Sequence, residues 1–206
     1  MVDKLKKRLT VRPDLLAITE IIPPDCRVLD LGCGNGVFLK LLEEAKNVRG
    51  LGIEIDQEKI IESIATGISV VHGDLNNKLD FADDQSFDYV VVSNTLQEVK
   101  RPDKLLQEVV RVGKKAVVGF INFGYIRTRS QLFCCGRMPE TKRLPHHWYN
   151  TPNIHLATIK DFKDLCNRLD IEILKELPLG GKFLSKAMPN LFAPNCVFEI
   201  SKTKSL

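Results

Sequence analysis

The sequence predicts an α/β chain built as a doubly wound, mostly parallel sheet, and three observations predict it. Val28-Leu29-Asp30-Leu31-Gly32-Cys33-Gly34-Asn35-Gly36 runs from an apolar strand into a turn of three alternating glycines, and helical spacing follows from Phe38 to Glu44. Apolar strand-like runs then alternate with helical patterns through five successive βα units, joined by short connections, which is how a parallel sheet reads. No internal repeat, linker or low-complexity tract interrupts the 206 residues, so residues 1–206 read as one domain.

Composition sets the bounds. An apolar share of 44% and a charged share of 27% suit a globular chain with a sizeable core. A net charge of +4 without a basic block argues against a nucleic-acid surface. No apolar run approaches the roughly 20 residues that span a bilayer, and the first residues carry no signal-peptide core, so a cytoplasmic location is expected. None of the six cysteines stands in a C-x-x-C pair, so free thiols are expected and no metal centre.

In chain order, the basic stretch 3–9 reads as a solvated terminus. Pro13 and Asp14 suit the first turn of a helix over 13–22, which Pro23-Pro24 ends. Arg12 and Asp14 could border a site or form a surface ion pair. The opening strand and its helix lead to a second strand, Val48 to Glu54. Glu54 lies 22 positions after Gly32, where a nucleotide-binding βαβ unit places a ribose-binding acid. Asp56 reads as the N-cap of a helix from Gln57 to Ala65, with Gly67 at its C-terminal end. A third strand, Ile68 to His72, runs into Gly73-Asp74-Leu75, where Asp74 alone would be a turn aspartate. Phe87 to Ser93 is a strand apolar on both faces, and its end, Ser93 to Gln97, falls on the ligand side of such a sheet. A helix after Arg101-Pro102-Asp103 and a strand over Lys114–Phe120 complete the fifth unit.

From Ile121 to Leu156 no strong periodicity is visible, although the segment holds the one Trp, two of three Tyr and three of four His. Such aromatic content argues for order, and the segment reads as a cap or insertion over 121–157 above the ligand. Its basic residues, Arg127, Arg129, Arg137, Lys142 and Arg143, could meet an anion or face solvent. Thr158 then opens a helix through Leu169. A strand over Ile171–Glu176 follows, then an irregular turn through Gly180-Gly181 and Pro189-Asn190, and Cys196–Ile200 closes the sheet.

The glycine turn discriminates between cofactors. A nicotinamide fingerprint needs G-x-G-x-x-G, but position 37 is Val37 and the third glycine is Gly36. Asp30-Leu31-Gly32-Cys33-Gly34-Asn35-Gly36 instead resembles the first motif of class I S-adenosylmethionine-dependent methyltransferases, and Gly52-Ile53-Glu54-Ile55-Asp56 resembles the second. That resemblance implies a Rossmann-like, seven-stranded sheet with one antiparallel strand, binding S-adenosylmethionine or S-adenosylhomocysteine. It implies a cofactor set of Asp30, Gly32, Cys33, Gly34, Asn35, Gly36, Glu54, Ile55, Asp74, Leu75 and Ser93. Asp30 would hold the amino group, Glu54 the ribose, and Asp74 with Leu75 the adenine.

Further segments narrow the resemblance. Arg12-Pro13-Asp14-Leu15, Asn94-Thr95-Leu96-Gln97, Asn122-Phe123-Gly124, Gly136-Arg137-Met138-Pro139 and Trp148-Tyr149-Asn150-Thr151-Pro152-Asn153-Ile154-His155-Leu156 together resemble the MetW family of methionine-biosynthesis proteins. This implies a bacterial cytoplasmic protein that supports or regulates homoserine O-acyltransferase (MetX), expected here as a separate chain. Neither nucleic acid nor membrane is an expected partner. The alternative is an active methyltransferase on a small molecule, for which His146, His147 and Tyr149, with His155, are the candidate catalytic groups.

Overall fold

The computed structural model describes residues 2, 5, 7, 9, 12–141, 143–180 and 183–203. The basic N-terminal positions Lys4, Lys6 and Arg8, together with Lys142 and Gly181, lie outside them. Seven strands form one sheet in the order β3-β2-β1-β4-β5-β7-β6. They are β1 (Arg27–Leu31), β2 (Arg49–Glu54), β3 (Val70–His72), β4 (Phe87–Ser93), β5 (Gly113–Ile121), β6 (Ile171–Leu179) and β7 (Asn195–Lys202). Strands β1 to β5 are mutually parallel, and β7 runs antiparallel to both β5 and β6. The order reverses between β1 and β4, and that switch point opens a crevice at the carboxyl ends of the strands.

Alternation of side chains builds two layers of core from one sheet. Leu29, Leu31, Val90, Val92, Val118, Phe120, Phe198 and Ile200 point to one face. There they meet α4 (Pro102–Val112) and α6 (Ile159–Arg168). Phe120, Phe162 and Phe198 form an aromatic knot on this side, with ring centroids 4.7–5.9 Å apart. The intervening Val28, Val91, Val117 and Val197 point to the other face. They pack on α1 (Pro13–Ile21) and α2 (Val37–Lys46) through Ile18, Leu39 and Leu42. α3 (Gln57–Ala65) follows β2, capped by Asp56 as its sequence indicates. Thr158 and Asp161 form a reciprocal capping box at the start of α6.

Two segments differ from the sequence reading. The 121–157 stretch contains a regular helix, α5 (Ile126–Cys135), closed by Gly136 in the left-handed conformation. α5 buries one residue, Thr128, so it shows no apolar stripe and its periodicity is invisible in the sequence. The turn after β6 contains two short helices, α7 (Phe183–Ala187) and α8 (Pro189–Phe192). Their few turns carry too few residues to show a period.

Candidate functional site

The crevice at the switch point consists of two adjoining hollows that share Arg12, Gly32, Gly34 and Ser93. The outer one, about 520 Å³, is lined by Glu54, Ile55, Asp56, Asp74, Leu75, Asn94 and Glu98 among others. The inner one, about 200 Å³, is lined by Asp30, Cys33, Asn35, Val37 and Phe38. Ten of the eleven residues expected at a cofactor site therefore border one cleft. The remaining one, Gly36, is the N-cap of α2 in the left-handed conformation.

The turn is shaped by its neighbours. Gly32 has φ +79°, and a Cβ there would lie 2.5 Å from Thr95 Oγ1. Only glycine lets β1 end so close to the turn after β4. Gly34 also has positive φ, yet a Cβ there would meet nothing within 4 Å. The space beside its backbone is an open cradle. The Gly32 and Cys33 N–H groups donate to the Ile53 carbonyl, which pins the turn to the end of β2.

Glu54 closes this junction. It is buried, and its carboxylate accepts from Gly34 N–H at 2.8 Å, Ile55 N–H at 2.9 Å and Asp56 N–H at 3.0 Å. Asp30 differs: it is 4% exposed, and no hydrogen bond to its carboxyl group is formed within the described residues. Burial pushes its carboxyl up to about 7; the Arg12 charge opposes this and the Glu54 charge adds to it. A second orphan stands at the end of β4. Asn94 takes a left-handed backbone, φ 64°, and its buried Oδ1 has no partner among the described residues.

Arg12 and Asp14 are more than a surface pair. Arg12 Nη2 donates to Asp14 Oδ2 at 2.7 Å and to Ser93 Oγ at 3.0 Å, and Ser93 Oγ donates to Asp14 at 2.6 Å. Asp14 is 2% exposed. Burial pushes its carboxyl up, but the Arg12 ion pair and the Ser93 hydroxyl outweigh that and hold it below the ordinary value. The network ties α1 to the end of β4 and sets the Arg12 guanidinium in the wall between the hollows. Asp74 forms the turn that its sequence context suggests, accepting from Asn76 N–H at 2.9 Å, and still borders the cleft. Thr95, within the Ser93–Gln97 end expected on the ligand side, lines the cleft, as do Glu98 and Lys59, which no sequence motif marks. Two resemblance segments, Arg12 to Leu15 and Asn94 to Gln97, held part of this signal without a role attached.

The candidate catalytic groups lie elsewhere. His146, His147 and Tyr149 are exposed, and none lines the cleft. His147 pairs with Glu140 at 2.9 Å and stacks on Tyr149, whose ring meets Trp148 edge-on. His155 borders a separate apolar groove with Leu96 and Phe162. No described residue of 121–157 lines the switch-point cleft. Among the described residues no group of three or more His, Cys, Asp or Glu could hold a metal, and no helix is long and apolar enough to cross a membrane. The six cysteines are unpaired.

Comparison with known proteins follows this geometry. The chain is 35% identical over 207 residues to the bifunctional methionine biosynthesis protein MetXA/MetW of Rhodopirellula baltica, which covers 94% of this chain. The chain spans about a third of that relative's length, 33%. The fold matches an S-adenosylmethionine-dependent methyltransferase from Thermotoga maritima with a TM-score of 0.67 at 18% identity, covering 98% of this chain and 96% of that one. It matches another from Mesorhizobium loti with a TM-score of 0.67 at 18% identity, covering 91% and 95%. At such identity these two establish the class I methyltransferase fold and nothing finer. The family model for the methionine biosynthesis protein MetW matches residues 12–200, nearly the whole described chain, and on that match the chain belongs to the MetW family.

Proposed function

We propose that this protein binds S-adenosylmethionine or S-adenosylhomocysteine in the switch-point cleft and, in doing so, supports or regulates a homoserine O-acyltransferase (MetX). The observation that carries the first half is the pairing of a buried, partnerless Asp30 carboxyl with the open cradle at Gly34. A buried polar group without a partner is costly, and a ligand ammonium would satisfy it. The residues present fit the cofactor. Asp30 and the turn would hold the methionine part in the inner hollow. Glu54 would accept from the ribose hydroxyls, and Asp74 and Leu75 would border the adenine. Arg12, held by Asp14 and Ser93, stands where a ligand carboxylate would need a cation. When bound, S-adenosylmethionine supplies an electrophilic methyl group.

The second half is supported by the relative from Rhodopirellula baltica, whose name joins MetXA to MetW. In this chain the partner would be a separate polypeptide. Ligand binding would then control the acyltransferase through a difference in affinity between two states of this protein. Methyl transfer to a small molecule is the less supported reading, because no imidazole or phenol of a described residue lines the cleft. The co-purified pair gives the decisive measurement. Acyltransferase activity is expected to rise in the presence of this protein and to respond to S-adenosylmethionine; identical activity with and without it would refute the partnership.

Glu54→Ala tests the cofactor half. It removes the acceptor shared by Gly34, Ile55 and Asp56 N–H groups, as well as the proposed ribose contact. Affinity for S-adenosylhomocysteine by calorimetry is expected to fall about tenfold or more, the loss of one charge-assisted contact of about 1.4 kcal/mol. An unchanged dissociation constant would displace Glu54 from the site.

A further inference from the structure

The end of β5 carries a second hollow of about 490 Å³, and none of its lining residues borders the nucleotide cleft. α5 and Tyr125 before it form one wall, Glu140, Thr141, Arg143 and Leu144 another, and Ile121, Asn122 and Pro194 line the remainder. Three features turn positive or donor groups into it. Arg127 and Arg143 both line it, and neither side chain has a carboxylate partner among the described residues. The Arg143 guanidinium bonds the side-chain oxygen of buried Asn195. Two guanidiniums with no carboxylate bonded to either among the described residues, in one concave site, attract an anion.

The second feature is the start of α5. Tyr125 caps this ten-residue helix without a side-chain bond, so its first N–H groups and their partial positive charge remain for a ligand. The third is Thr128. It is 4% exposed, lines the hollow, and its hydroxyl has no hydrogen-bond partner among the described residues. Open to the hollow and bonded to no protein group, this hydroxyl can both donate to and accept from a ligand atom.

The remaining chemistry is of the opposite sign. Glu140 is the one carboxylate among the described lining residues, and it is exposed beside His147. Ile121, Leu144 and Pro194 supply apolar wall. A ligand with a carboxylate for the guanidiniums and Thr128, an ammonium for Glu140, and a short side chain for the apolar wall matches all of these together. A simple anion such as phosphate or a fatty acid brings no cationic group to Glu140, whose carboxylate also meets His147. We propose that this hollow is a binding site for a small α-amino acid in its zwitterionic form. The site is independent of what the first cleft binds.

Calorimetry on the full chain with three probes tests this. L-norvaline carries both charged groups, valerate lacks the ammonium, and n-butylamine lacks the carboxylate. L-norvaline is expected to bind saturably, and the other two about tenfold or more weaker. Arg127→Gln is expected to reduce L-norvaline affinity by a similar factor; Arg127 is exposed and has no partner to lose, so its replacement does not threaten the fold. Glu140→Gln is expected to erase the preference for L-norvaline over valerate while leaving valerate binding in place. No saturable binding of L-norvaline, L-serine or L-aspartate overturns the proposal. Equal binding of L-norvaline and valerate by the parent protein overturns the amino-acid class. Binding that falls with Glu54→Ala and not with Arg127→Gln places the amino acid in the nucleotide cleft and overturns the second site.

Discussion

Asp30→Asn is expected to make the ligand-free protein more stable at pH 8 while weakening its hold on S-adenosylhomocysteine. The carboxyl of Asp30 is pushed up to about 7 by burial, against an ordinary value near 3.8. The sign follows from proton counting. Between those two values the folded state holds a proton that the unfolded state has released, so stability falls as pH rises through the window. It is fully present below about pH 4, and the loss is complete once pH has passed about 7. Over the full shift the loss is on the order of 4 kcal/mol, and between pH 5 and 8 about 3 kcal/mol. Asparagine does not titrate, so the variant lacks this slope. At about 2–4 °C per kcal/mol for a chain of this size, the melting temperature of the variant relative to the parent is expected to gain about 6–12 °C between pH 5 and pH 8. Its S-adenosylhomocysteine affinity at pH 8 is expected to drop about tenfold or more, because an amide cannot neutralise a ligand ammonium. A site that is costly when empty and satisfied when filled shows this opposition of stability and binding. Parallel pH profiles for variant and parent would show that Asp30 does not titrate in this window.

The carboxylates of the cleft were legible because each stands at the end of a strand whose pattern is strong. Val28 to Leu31 and Phe87 to Ser93 read as buried strands, and a doubly wound order brings their ends together. Glu54 follows from that placement; Asp30 and Asp74 needed the motif resemblance, and on spacing alone Asp74 reads as a turn aspartate. Asp14 follows from neither. Beside Arg12 in sequence it looks like one half of a solvated pair, and its burial depends on Ser93, which arrives from 79 residues away by the sheet order. Proximity across the switch point leaves no trace in local spacing. α5 was unreadable for the opposite reason, since it buries only Thr128 and has no apolar face to repeat. His146, His147 and Tyr149 were singled out on composition, and composition carries no position. The structure sets them on an exposed aromatic ledge outside the switch-point cleft.

Asn122→Ala is expected to be among the most damaging single changes in the chain. Asn122 opens the Asn-Phe-Gly segment that carries part of the family resemblance, and it is 1% exposed. Its Nδ2 donates to the Ala193 carbonyl at 2.7 Å and the Asn190 carbonyl at 3.1 Å. Its Oδ1 accepts from Gly124 N–H at 2.9 Å and from Ile159 N–H at 3.4 Å. One side chain thus joins the end of β5, the α8 turn and the first turn of α6. Alanine removes these bonds, and a longer one from Nδ2 to the Pro189 carbonyl at 3.5 Å, all at once and leaves buried donors and acceptors behind, at a cost of about 3–5 kcal/mol. The melting temperature is expected to fall by about 10 °C. Asn122→Asp keeps the acceptor but sets a carboxylate against two carbonyl oxygens, so it should do no better than alanine. Hydrogen exchange separates this from a general loss of stability. Gly124 and Ile159 amides are expected to lose protection first, while β1 and β4 retain theirs. Because Asn122 borders the second hollow and not the switch-point cleft, the affinity proposed there for S-adenosylhomocysteine should suffer far less than in Glu54→Ala. A shift below about 2 °C, which corresponds to less than about 1 kcal/mol, would mean that these bonds are replaced by water at little cost and that the segment is not held as drawn.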